Sequence, residues 1–186
     1  MSSAFDTEDP IAATASAPGA GLRGIVRVSG PGAWRIALAG FDPDRPLSNP
    51  EPRRPTVVVG SFRLSGLRPL LPASVALWPA PRTYTGQELA EIHSPGSPPL
   101  LALLLAHVLA QGARPARPGE FTLRAFLSGR IDLTRAEAVL GVIDARDSRR
   151  LDAALEQLAG GVAGPIGALR DRLLDLLAHR EADLDF

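Results

Sequence analysis

A chain of 186 residues, 45% of them hydrophobic, can bury one core and carry an appendage, and its 20 basic and 20 acidic residues leave no net charge to draw the whole molecule to nucleic acid. Cysteine is absent and every basic residue is arginine. This excludes disulfides, thiolate catalysis, Cys-ligated zinc, a Schiff-base lysine, and a P-loop whose lysine reaches the β- and γ-phosphates. An acidic start and the lack of an apolar run of spanning length lead us to expect a cytoplasmic protein with no membrane segment.

The pattern predicts a first strand over Ile11–Ala15, a Pro18–Gly21 loop, and a second strand over Gly24–Gly30. In the second strand Ile25, Arg27 and Ser29 share one face and Val26 and Val28 the other. Pro31–Ala39 reads as a short helix burying Trp34, Ala37 and Leu38. Asp42–Arg54 is a proline-rich loop, followed by strands at Thr56–Phe62 and Ser74–Trp78 with an irregular Leu64–Leu71 link. After the Pro79–Tyr84 loop, Leu89–His93 is expected as a strand, although its shortness also permits a helix. Pro99–Gln111 is a helix, apolar almost all round and so largely buried, stopped by Gly112.

Pro118 suits a first helical position, opening a helix that runs to Leu127 and breaks at Ser128-Gly129. Thr134-x-x-Glu137 has the spacing of a capping box and predicts the start of the next helix, with Ala136, Val139, Leu140 and Ile143 at helical spacing. Asp147 caps a further helix through Leu151, Leu155 and Leu158, which ends at Gly160-Gly161; Pro165 starts the last, with Ile166, Leu169, Leu173, Leu176 and Leu177 as its stripe. These stripes need a partner. The chain therefore reads as an α/β domain with a mixed sheet over residues 1–117, followed by an α-helical segment over 118–186.

Three places are chemically suggestive. Glu91 follows a glycine turn within an apolar segment, and is either a solvated strand carboxylate or a clamp that accepts two hydrogen bonds from a paired donor edge such as that of a pterin. Arg27 and Arg130 are surface arginines, helix caps, or forks for an anionic tail. His93 shares the face of Glu91 if Leu89–His93 is a strand; one histidine and one carboxylate make no metal site, so a structural or polar-network role is expected. Arg114, Arg117, Arg124, Arg130 and Arg135 crowd the central stretch, but interspersed acids and missing aromatic platforms favour a salt-bridged surface over an RNA contact.

The string RPGEFTLRAFLSGRIDLTRAEAVLGVIDA, Arg117–Ala145, resembles the PGEFT-RAFLNGK-DL-QAEAV-DLIDA block of the MnmE/TrmE family of tRNA-modification GTPases. PIAATASAPG, GIVRVSGPGA and RTYTGQELAEIH are similar to that family's other landmarks, in order, and the terminal AHREADLDF resembles the helix before its inserted GTPase domain. The resemblance implies a tetrahydrofolate-binding-like, homodimer-forming N-terminal domain and the first part of a helical domain. It also implies 5-formyltetrahydrofolate as one-carbon donor, an FAD-dependent partner protein, and tRNA whose wobble uridine is modified.

Carried over by position, the family's folate contacts fall on Arg27, Glu91 and Arg130, the last usually lysine, with no catalytic residue and no resident metal. GTP, magnesium and potassium would belong to a GTPase domain that these 186 residues do not contain, so the chain is either part of a longer protein or a shortened relative. The family's glycine loop is altered at Ala20–Arg23 and its CHGG at Ser94–Ser97. Two alternatives stand beside the folate module: a degenerate dimerisation scaffold without ligand, and a free-standing folate-dependent one-carbon transferase.

Overall fold

The structure is a computed structural model, which describes residues 7–47, 53–160 and 163–184, and the side chains of 163–166 and 181–184 are left aside. Parts of three expectations lie outside the described residues: positions 48–52 of the proline-rich loop, Gly161 in the helix stop, and the final Asp185-Phe186. The acidic start before Thr7 and the Ile166 side chain also lie outside them.

The elements are β1 (Ile11–Thr14), β2 (Gly21–Ser29), α1 (Ala33–Leu38), β3 (Phe41–Pro43), β4 (Thr56–Phe62), β5 (Leu71–Trp78), β6 (Leu89–Gly96), α2 (Pro98–Ala110), β7 (Arg114–Pro115), α3 (Glu120–Leu127), α4 (Leu133–Asp144), α5 (Ser148–Leu158) and α6 (Ala163–Leu184). The seven strands form one sheet in the order β3-β4-β5-β6-β2-β1-β7. Every pairing is antiparallel except β1 with β7, so the sheet is mixed, as the pattern implied. The α/β fold followed by helices is thus the observed one.

Alternation decides the two faces of the sheet. Val26, Val28, Val75, Leu77, Ala90 and Ile92 point to one side, where they meet Ile36 and Ala37 of α1 and Leu101, Leu104 and Val108 of α2. Each such side chain, fully buried, contributes about 1.5–3 kcal/mol of transfer free energy. Gly24 permits the close approach of α2, because a Cβ there would lie 2.7 Å from the Leu101 methyls. The helix α2 is less buried than expected: its leucines at 100, 103, 105 and 109 are only partly covered, since the sheet reaches one side of it alone. Opposite this core, the other face carries Arg27, Glu91 and His93.

The chain divides into two compact units, Met1–Arg130 and Ile131–Phe186. The sequence pattern put the boundary after Arg117; the division falls later because α3 is tied to the sheet unit. Its Glu120 and Arg124 are 4% and 3% exposed. Arg114 grips the Glu120 carboxylate with both terminal nitrogens, at 2.9 and 2.5 Å, and Asp9 through Nε at 2.6 Å. Arg124 Nη2 donates to Asp9 Oδ1 at 2.6 Å, while Nη1 donates to the carbonyls of Asp9 and Thr7 and to the Gln87 amide oxygen. The crowded arginines at 114 and 124, whose side chains are 35% and 2% exposed, are therefore tied into ion pairs, the salt-bridged arrangement expected of them.

Two helix starts differ from expectation. Pro118 is outside α3, whose cap is Gly119 in the left-handed region at φ 76°. Helix α4 is capped by Asp132, whose side chain accepts from the Arg135 N–H at 2.8 Å, so Thr134 lies inside the helix. Both positions offer an oxygen to an N–H three residues on or nearer, and the carboxylate also complements the helix dipole. Asp132→Ala is expected to cost about 1 kcal/mol in urea unfolding of the helical unit, against a few tenths for Thr134→Ala. Equal losses would return the cap to Thr134.

Asp147 caps α5 as expected, accepting from the Arg150 N–H at 2.9 Å. Within the helical unit, α4 and α5 approach through small residues: Ala138 and Ala154 are buried, and a Cβ at Gly141 would lie 3.2 Å from that of Ala154. The larger members of the stripes, Leu140, Ile143, Leu169, Leu173, Leu176 and Leu177, are more than half exposed. No helix among the described residues is long and apolar enough to cross a membrane.

Candidate functional site

The open face of the sheet is where the charged residues meet. In the β2/β6 register Arg27 lies directly opposite Glu91, and on the other side of β6 Ala76 faces Glu91 while Ser74 faces His93. Arg27 Nε donates to Glu91 Oε1 at 2.8 Å and Nη2 lies 2.7 Å from the same oxygen. The other oxygen, Oε2, is 3.3 Å from His93 Nε2. The Glu91 side chain is 13% exposed and that of Arg27 31%, so the pair is desolvated on one flank and open on the other. Behind it, the Arg27 guanidinium lies 5.8 Å from the Phe121 ring centroid of α3, within cation–π range.

The open flank is a hollow of about 420 Å³ lined by Arg27, Trp78, Arg82, Thr83, Tyr84, Leu89 and Glu91. Arg82, Thr83 and Tyr84 carried no site expectation, because Pro79–Tyr84 reads locally as a proline-broken loop, and Trp78 and Leu89 read only as the ends of strands. The missed signal is the position of the loop: it leaves β5 at Trp78 and returns to β6 at Leu89, two residues before Glu91. Its shape is fixed by hydrogen bonds from within and from α3. Thr83 Oγ1 donates to the Gln87 carbonyl at 2.6 Å, buried Thr85 pairs with Ser29 at 2.6 Å, and Tyr84 OH meets Thr122 Oγ1 at 3.0 Å. Gly86, at φ +77°, takes a left-handed turn against Ser128, where a Cβ would sit 3.0 Å away.

Arg130 reaches the same region at one remove. Its Nε donates to the Thr83 carbonyl at 3.1 Å, so it braces the loop that walls the hollow, and it is not itself a lining residue. Arg27 and Glu91, 64 positions apart, are thus brought together, and Arg130 stands behind the wall. Chemically the site offers one carboxylate held by a cation, a second arginine, and an indole and a phenol as walls. Among the described residues no group of three His, Asp or Glu side chains is placed to hold a metal ion.

The comparisons with known proteins match this division. Residues 10–130 fit the family model described as GTP-binding protein TrmE N-terminus, and residues 133–186 fit that of the MnmE helical domain. The chain belongs to the MnmE/TrmE family. Proteins named tRNA modification GTPase MnmE from Rhodopirellula baltica, Thermus thermophilus and Akkermansia muciniphila are 47%, 42% and 44% identical to it. The alignments cover 97%, 98% and 97% of the chain, and 38%, 42% and 40% of those relatives. The chain therefore spans about two fifths of the length of these MnmE relatives. Its two matched segments meet between Arg130 and Leu133, where the compact units also divide.

Proposed function

We propose that the sheet unit binds a reduced folate, 5-formyltetrahydrofolate or a close derivative, as one-carbon donor for modification of the wobble uridine of tRNA. The observation that carries this reading is the convergence of Arg27, Glu91 and Trp78 on one hollow whose volume falls within the roughly 300–1,000 Å³ usual for cofactor-sized ligands. The donor set fits the group. A pterin presents a ring N–H beside an exocyclic amine, and Glu91 Oε2, which faces His93 alone, keeps a lone pair toward that edge. Trp78 and Tyr84 would flank the flat ring, Arg27 would hold Glu91 against the ring edge, Arg82 would meet the anionic tail, and Arg130 would keep the Thr83 wall in place. The cofactor supplies the one-carbon chemistry, and the protein's residues bind, orient and exclude water.

The same reading takes the unit as the homodimer-forming part of a cytoplasmic tRNA-modifying GTPase that works with an FAD-dependent partner protein and tRNA. GTP, magnesium and potassium would act in that protein's GTPase domain. Calorimetric titration of 5-formyltetrahydrofolate into the full chain, beside sedimentation equilibrium, tests it. A saturable isotherm and a dimer are expected; no heat up to about 1 mM ligand, equivalent to a binding free energy weaker than about −4 kcal/mol, would refute the ligand assignment. The mutual pairing of Arg27 and Glu91 favours a second reading, a scaffold whose site has closed on itself, and a dimer that takes up no folate would select it.

A further inference from the structure

The Arg27–Glu91 pair has a third member on the same strand. Glu91 and His93 are two residues apart on β6 and so project to one face. His93 Nε2 lies 3.3 Å from Glu91 Oε2, its side chain is 19% exposed, and its other ring nitrogen, Nδ1, is buried without a hydrogen-bond partner among the described residues. A carboxylate oxygen only accepts, so the ring nitrogen facing it is the one that carries hydrogen. Placing the single hydrogen on Nδ1 instead would aim a lone pair at the carboxylate and bury an N–H that nothing receives.

We propose that His93 is the positioning residue for Glu91: its Nε2–H holds Oε2, so that the carboxylate meets Arg27 through Oε1 alone. Arginine's fork otherwise favours a two-oxygen grip on a carboxylate, as Arg114 takes on Glu120. Such a grip at Glu91 would turn both oxygens toward the guanidinium and away from the hollow. With Oε1 on Arg27 and Oε2 on His93, Oε2 stays off the guanidinium and keeps a lone pair for the donor edge of a ligand. The hold on Glu91 stands on the geometry alone; its effect on affinity rests on the folate reading.

Two measurements separate the parts. In the ligand-free full chain, ¹⁵N-detected imidazole spectra are expected to show His93 with hydrogen on Nε2, and the signal is expected to shift in Glu91→Gln. A neutral ring protonated on Nδ1 would overturn the proposal. Calorimetry with 5-formyltetrahydrofolate is expected to show affinity about 10-fold weaker in His93→Phe, the loss of one charge-assisted contact, and recovered to within about 3-fold in His93→Gln, whose amide again offers a donor. Unchanged affinity in His93→Phe, with Glu91→Gln impaired, would overturn it too. If the wild type takes up no folate while the Nε2–H signal responds to Glu91→Gln, the folate reading fails and the hold on Glu91 is confirmed.

Discussion

Glu120→Ala is expected to lower the unfolding free energy by about 3–5 kcal/mol, the usual effect of removing one partner from a buried ion pair. Glu120 is 4% exposed, and it receives two hydrogen bonds from Arg114, one from the Arg117 backbone N–H at 2.8 Å and one from Arg124 at 3.3 Å. The variant leaves Arg114 and the buried Arg124 to share Asp9 and nearby carbonyls. Replacing the charge without the shape, in Glu120→Gln, keeps the packing, so a loss similar to that of the alanine variant would assign the effect to the charge. Urea denaturation followed by circular dichroism reads both; a loss under about 1 kcal/mol for Glu120→Ala would show that the network is not holding α3 to the sheet unit.

The same carboxylate makes stability fall in acid. The Arg114 hydrogen bonds hold the Glu120 carboxyl down to about 2, against an ordinary 4.5, and Arg114 likewise lowers that of Asp9. Since the folded pKa is the lower one, the unfolded chain binds more protons between these values, and stability rises with pH there. The contribution is whole above about 4.5 and is lost as the pH falls through about 2. Glu120→Gln should flatten this part of the stability profile.

The second large effect is on the ligand. Glu91→Gln is expected to weaken 5-formyltetrahydrofolate binding by about 10- to 100-fold, the range for losing a charge-assisted hydrogen bond. An amide replaces one accepting oxygen with a donating nitrogen, which would face the donor edge of the ring, and Arg27 loses its counter-charge. Because the Arg27 side chain is 31% exposed and can turn to water when its partner's charge is removed, the melting temperature should change far less than the affinity. Calorimetry and thermal melting on the same samples separate the two. Affinity unchanged by the substitution would remove Glu91 from the binding site even if folate binds.

Strands β2 and β4 were legible because alternation is a local property: one buried and one open face write themselves into every second residue, whereas β6 was short enough to read as a helix too. The two shortest strands were not legible. Phe41–Pro43 lies in a polar, proline-rich stretch and is a strand only because Phe41, Asp42 and Pro43 pair with Phe62, Ser61 and Gly60; Arg114–Pro115 is one only beside β1. At the start of α4 the expected cap, Thr134, lies two residues past Asp132, and the backbone took Asp132.

The sequence by itself determined the kind of fold and the family, since hydrophobic period and matched strings depend on neighbours along the chain. It also named Arg27 and Glu91 as contacts of one ligand through the family resemblance, without the geometry of their pairing. That was decided by the antiparallel register of β2 and β6, which sets the two side chains opposite one another, and by the loop between β5 and β6, which adds Trp78, Arg82 and Tyr84 around them. Contacts between residues so far apart in sequence leave no local pattern, because only the closing of the sheet puts them within reach.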